Sequence, residues 1–235
     1  MPLVIKNREM DISSILLFQD TGSLILSAPL TLAIIVITGI TSYQAFNNQD
    51  LYLKLIFNPN TIQKRKEWYR FWSYGLLHAN WIHLGLNLFV LFGFGISVEL
   101  AYKEVFGPFG SIYYLLLYGL GLAASSLFDY FKHKDNYNYN AVGASGAVSA
   151  VLFAAILFNP TQILLIYGII PIPAVIGGGL YLAYSYYMAR KGNDNIGHDA
   201  HFWGAVWGFT FTAILDYRLL WLFWMQITTP GMWGW

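Results

Sequence analysis

The sequence predicts an all-α membrane protein built as a bundle of about six transmembrane helices, and three observations carry that prediction. The 235 residues are 57% hydrophobic and only 11% charged, whereas about a quarter of a soluble domain is charged. A water-facing globule of this size would lack polar cover. The mean hydropathy is +0.49. The apolar residues also fall into six stretches, most of them of bilayer length, separated by polar and aromatic connections. The net charge of +1 singles out neither nucleic acid nor an acidic partner. With no cysteine, disulfides, thiolate metal sites and a cysteine nucleophile are excluded.

In chain order, residues 1–22 carry charges of both signs and no long apolar core, and are expected to form an N-terminal segment ahead of the first span. The first apolar run, 23–46, has no small-residue cleavage site after it and reads as a retained helix, not a signal peptide. The connection 47–77 holds Lys64, Arg65 and Lys66 followed by Trp68, Tyr69, Phe71 and Trp72, a basic and aromatic mixture suited to a membrane–water interface. Further spans are expected at 83–102, 109–131, Ser145–Phe158, 163–188 and 200–215, with polar loops at 132–140 and 190–195. The bundle thus occupies 23–218. The tail, 219–235, is aromatic but broken by Pro230 and Gly231, and is expected to lie at the interface.

The fourth span is informative because it is short. Its 14 residues cover about 21 Å at 1.5 Å each, against a hydrocarbon core about 30 Å thick. Either the helix is sunk about 10 Å below one surface or the bilayer thins around it. A sunken start places the loop before Ser145 at membrane depth. Irregular backbone is tolerated there only inside protein or beside a water-filled cavity.

Ionisable and polar groups within spans are functional candidates. His83 and Asn87 are spaced i, i+4 on one helix face. Two neutral donors stacked there can hold an oxyanion, and can equally serve as interhelical polar glue. Ser145 sits between Gly143-Ala144 and Gly146 at the start of the short helix. A hydroxyl there lies at the positive end of a helix dipole, although serine is also a common N-cap. His201 opens the sixth span, with Gly204 and Gly208 on nearly the same face. If that small-residue stripe packs against the helix carrying Gly146, His201 comes within reach of Ser145 and the pair forms an activated nucleophile. Asp199 is two residues from His201 and points elsewhere on a helix. A metal site built from His78, His83, His198 and His201 has against it the absence of an HExxH pattern and of thiolates, and only Glu99 as a nearby carboxylate.

These residues, in this order, resemble the rhomboid family of intramembrane serine proteases. His78 to Asn87 looks like the family's second-helix motif, with Glu99 at a further polar position of that helix. Gly143-Ala144-Ser145-Gly146 looks like its nucleophile motif, and His201, Gly204 and Gly208 match its last core helix. Arg70 falls where the family carries a tryptophan–arginine pair. This chain has Tyr69-Arg70 there, with Trp68 one position early. Ser149 occupies a position where many relatives place a tyrosine that stacks on the catalytic histidine.

The resemblance implies a six-helix bundle with Ser145 as nucleophile and His201 as base. The oxyanion hole would come from His83, Asn87 and the Ser145 backbone N–H, with His78 in support. It implies hydrolysis of peptide bonds in or beside transmembrane segments of other proteins, without cofactor or metal. The expected partners are transmembrane substrates and the lipid of the cell membrane, and no nucleic acid. A rhomboid-like client-binding protein without activity and a transporter are the competing classes. The resemblance also places the N-terminus in the cytoplasm and the mouth of the site outside. The charge rule opposes this: Lys54, Lys64, Arg65, Lys66, Arg70, Lys132, Lys134, Arg190 and Lys191 fall on the mouth side, and only Lys6, Arg8, Lys103 and Arg218 on the other.

Overall fold

A computed structural model describes residues 26–166, 169–192 and 197–229. The expected segment 1–22, the first residues of the first span and the end of the tail lie outside the described residues.

Each helix begins and ends for a local reason. Helix α1 (Pro29–Phe46) opens with proline at its first turn, where a missing N–H costs nothing. Two short helices follow, α2 (Gln49–Leu55) and α3 (Pro59–Arg65), whose N-caps Asn48 and Asn58 accept from the Leu51 and Thr61 amides. Helix α4 (Arg70–Ser73) runs into a 3₁₀ turn. Helix α5 (Trp81–Phe106) is capped by the Asn80 side chain, which accepts from the His83 amide at 2.8 Å. It ends at Gly107 with φ +56°, a conformation that favours glycine. Helices α6 (Gly110–His133) and α7 (Ser145–Phe158) follow. A small hairpin pairs β1 (Ile163–Ile166) with β2 (Ile170–Pro173), Ile163 opposite Pro173. Helices α8 (Ala174–Lys191), α9 (His198–Leu215) and α10 (Arg218–Thr228) complete the described chain.

Five of the six expected spans correspond to α1, α5, α6, α7 and α9, and the short fourth helix has the expected bounds. The fifth differs at its start. Ile163–Ile166 and Ile170–Pro173 are paired strands, and the helix begins only at Ala174. Pro171 and Pro173 lack the amide a helix interior needs and push their predecessors to extended backbone. The tail also differs, because α10 is a regular helix up to Thr228.

The helices alternate in direction. The C-terminal end of α1 meets the start of α5 through the Phe46 and Trp81 rings, 4.7 Å apart. The other end of α5 meets the C-terminal part of α9 through Tyr102 and Thr212. Lys132 near the end of α6 pairs with Asp199 at the start of α9. One end of the bundle therefore gathers the starts of α5, α7 and α9. Helix α7 is central: ten of its 14 residues are buried, among them Gly146, Ala150 and Ala154.

Among the described residues, many large apolar side chains face outward, and several polar groups are buried inside the bundle. Val36, Phe89, Phe131, Leu180 and Ile214 are exposed, while Thr31, Glu99, Ser125 and Thr212 are fully buried. A soluble protein shows the reverse. By length and composition, Pro29–Phe46 and the stretch Trp81–His133 are apolar enough to cross a membrane.

Candidate active site

Ser145 is the first residue of α7, with Ala144 as N-cap, so its hydroxyl is not spent on capping. Its own N–H belongs to the first turn, where no intrahelical carbonyl is available. The hydroxyl instead lies 2.8 Å from Nε2 of His201 in the first turn of α9. What brings the two helices so close is glycine. A Cβ at Gly204 would collide with the Gly146 carbonyl, and one at Gly208 with the Ala150 carbonyl, so backbone rests on backbone along the α7–α9 contact.

The loop before Ser145 is held from several sides. Phe57 and Ala141 form an isolated antiparallel bridge. Asn58 donates to the carbonyls of Tyr137 and Tyr139, and the Gly143 amide donates to the Tyr74 carbonyl. Gly143 has φ +123°, and a Cβ there would stand 2.6 Å from Cε1 of His83. Glycine at that position thus lets the His83 ring press against the nucleophile loop. Asn87, one turn further along α5, is buried and spends one amide hydrogen on the His83 carbonyl at 2.8 Å. Its second hydrogen remains to be donated.

His78 is buried with its ring edge-on to His83, centroids 4.9 Å apart. Its Nδ1 is 2.9 Å from Ser42 Oγ, which gives its only proton to the Leu76 carbonyl. Nδ1 therefore carries a proton and donates. His198 stands edge-on to His201 at 6.0 Å and to Tyr184 at 5.5 Å. Asp199 points away to Lys132.

Two of the expected supporting residues lie elsewhere. Arg70 is buried and donates to the Leu53 and Ile56 carbonyls and to Glu67, fastening the first connection to itself. That hydrogen bond holds the Glu67 carboxyl below the usual range. Glu99 sits at the opposite end of α5. It accepts from the Leu30 and Thr31 amides and the Thr31 hydroxyl, and pairs with Lys103. It is the cap that α1 lacks from its own sequence. Polarity within an apolar helix singled out Glu99, but only the packing of α1 on α5 discloses its task.

One residue escaped the sequence reading. Tyr181 of α8 stacks on His201 with ring centroids 6.0 Å apart and planes 26° from parallel. The one signal near it in the chain is the glycine run Gly177-Gly178-Gly179, which does not point to a tyrosine.

A hydroxyl hydrogen-bonded to imidazole at a helix start, beside a histidine ring and a buried amide, is equipped for acyl transfer. Comparisons with known proteins show which family the chain belongs to. A Rhomboid domain family model matches residues 65–218. The chain is 29% identical over 140 residues to RHOMBOID-like protein 12, mitochondrial, of Arabidopsis thaliana, covering 54% of this chain and 40% of that protein. It is 33% identical over 117 residues to mouse Rhomboid-related protein 2, covering 48% and 35%. With Rhomboid protease AarA of Providencia stuartii it shares 30% over 115 residues, covering 44% and 40%. The matched stretches thus span no more than about two fifths of these relatives. Because the family model takes in well over half of the chain, from the first connection through α9, this protein belongs to the rhomboid family of membrane proteins.

Proposed function

We propose that this chain is an intramembrane serine endopeptidase that hydrolyses peptide bonds in or next to transmembrane segments of other membrane proteins. The observation that carries this reading is the 2.8 Å contact between Ser145 Oγ and His201 Nε2. His201 accepts the hydroxyl proton as Ser145 attacks the scissile carbonyl, and returns it to the leaving amine. The negative charge that develops on the carbonyl oxygen meets the His83 ring, the free amide hydrogen of Asn87 and the Ser145 N–H. Helices α1 and α5 to α9 are the six spans in this reading, and their exposed apolar faces meet lipid. The protein is a multi-pass protein of the cell membrane, with its mouth outside and its N-terminus in the cytoplasm.

The test is labelling with a fluorophosphonate in detergent, mapped by peptide analysis, together with cleavage of a reconstituted transmembrane reporter. Wild type is expected to be labelled at Ser145 and to cleave. Ser145→Ala and His201→Ala are each expected to remain folded and lose cleavage, and the double variant to be no worse than either. Full cleavage by Ser145→Ala ends this reading. A folded wild type that neither labels nor cleaves favours the client-binding class instead.

A further inference from the structure

We propose that the cleft between α8 and α9 is a lipid site that holds one acyl chain of a membrane phospholipid. The inference rests on membership of a family of membrane proteins and is independent of the protease reading. A cavity of about 340 Å³ lies where α8 and α9 meet α7, with Phe223 of α10 at one side. Its wall includes Phe153 and Ile156 of α7, Gly178 and Gly179 of α8, and Ala205 of α9.

The cavity exists because small residues stand on both helices. At Gly178 a Cβ would stand 2.7 Å from Ile156 Cδ1, so the bare backbone lets α8 seat against α7. At Gly179, the next residue, a Cβ would meet nothing within 4 Å. On α9, Ala205 contributes only a methyl group to the wall. Larger side chains at these places would fill the space to the density of an ordinary interior.

The wall decides what fills it. Thr210 is the one polar side chain among the lining residues, and its hydroxyl donates to the Val206 carbonyl of its own helix at 2.7 Å. A water needs two to four polar partners, and apolar cavities of about 150 Å³ stay dry and take up apolar molecules. The cavity is also open, because Gly179 and Thr210 are exposed. Leu180 beside Gly179 is 60% exposed, and Ile214, one turn after Thr210, is 81% exposed. The opening therefore continues the apolar surface that a membrane protein turns to lipid. Hydrocarbon is the solvent there, and a chain end that enters gains van der Waals contacts that an unfilled cavity forgoes.

A substrate segment matches the cavity less well. Tyr181, whose ring contacts both Phe153 and His201, stands between the cavity and the dyad. Phe153 and Ile156 lie eight and eleven residues after Ser145, about 12 and 17 Å along α7. A peptide bond held at Ser145 leaves its flanking side chains on the far side of the Tyr181 ring.

The probe is a phosphatidylcholine with a photoactivatable diazirine near the end of one chain, mixed at low proportion into phosphatidylcholine vesicles that hold the full protein. Label is mapped by peptide analysis. Residues 175–182 and 205–210 are expected to carry about tenfold more label per residue than the exposed face of α6, a preference equivalent to about 1.4 kcal/mol and to roughly ten atom contacts. Gly179→Phe places a ring in the cavity and is expected to bring the cleft down to the level of α6. Leu180→Phe enlarges only the outer face and should keep the excess. If Gly179→Phe does not accumulate, Thr210→Phe closes the cavity from α9 and carries the same expectation. Label spread evenly over all exposed faces of the wild type overturns the inference, as does an excess that survives the cavity-filling variant. Loss of the excess on adding a transmembrane peptide assigns the cleft to a client segment, and loss on crowding the vesicles with protein assigns it to a second copy. Either result overturns the lipid reading. A failure of the protease reading shows in cleavage and a failure of this inference in labelling, so the two are told apart.

Discussion

Replacing Gly204 by alanine adds a single methyl group where the α7–α9 contact lies nearest the dyad. In the present packing that Cβ would stand 2.7 Å from the Gly146 carbonyl carbon, and ordinary contact begins at 3.4 Å. The partner is backbone and cannot rotate aside, so the helices must part by at least the difference, about 0.7 Å, and by more to clear the carbonyl oxygen, which stands closer still. Gly146 follows Ser145 directly, and Gly204 lies one turn after His201. Most of the displacement therefore reaches the dyad, and the 2.8 Å contact opens to at least about 3.5 Å, the outer limit of a hydrogen bond. Misplacing reacting groups by about 1 Å costs up to about 10²-fold in rate, and overpacking of this kind costs about 1–3 kcal/mol. Gly204→Ala is thus expected to label with fluorophosphonate and cleave the reporter between ten- and a hundredfold more slowly, with a Tm lower by several degrees. Gly208→Ala, a further turn away, should lose similar stability but less rate. Gly119→Ala is the control, because a Cβ there meets nothing within 4 Å. Wild-type rates in Gly204→Ala, or equal losses in Gly119→Ala, would show that this contact does not set the dyad.

Three further outcomes follow from the packing. Asn87→Ala is expected to lower kcat by less than the 10²–10³-fold typical of a lost oxyanion donor, because His83 and the Ser145 amide still donate. A large rise in KM at constant kcat would mark Asn87 as a binding or packing residue. Glu99→Ala strips the start of α1 of its acceptor and is expected to cost about 3 kcal/mol, a drop of about 10 °C in Tm. The folded fraction should keep the wild-type kcat, and an unchanged Tm refutes the capping role. Orientation is tested with single cysteines, since the chain has none of its own. Cysteines at Asn60 and Asn136 are expected to react with an impermeant maleimide on intact cells, and one at Lys103 is not. The opposite pattern hands the decision to the charge rule and turns the mouth toward the cytoplasm.

Hydropathy was enough to find the long helices, because an apolar run of bilayer length has few other uses. It failed at 163–173, where the residues are as apolar as a span but two prolines and adjacent isoleucines favour a hairpin. The candidate pair was readable for a different reason. Ser145 and His201 each stand at a helix start beside the glycines that let those helices touch, so chemistry and packing are written in neighbouring letters. Tyr181 has Gly178 three residues before it, but stands mid-helix in an apolar run with no polar partner beside it in sequence. Its place beside His201 exists only because α8 lies against both α7 and α9, which local sequence does not encode. The same holds for Glu99, which caps a helix 68 positions away, and for Asn58, which fastens the first connection to the third.

Where the α7–α9 contact has no side chains in it, it also has nothing that can be compressed, re-rotamered or swollen by solvent. The spacing of the dyad is then set by the thickness of two peptide chains, a length common to all proteins. Lipids of different thickness, or a colder or warmer host, act first on the apolar outer faces of α1, α5, α6 and α8. A change of membrane should therefore alter how readily substrates arrive long before it alters the distance between Ser145 and His201. The outer faces of this bundle can be rewritten for another bilayer while its inner pair of helices is carried over intact.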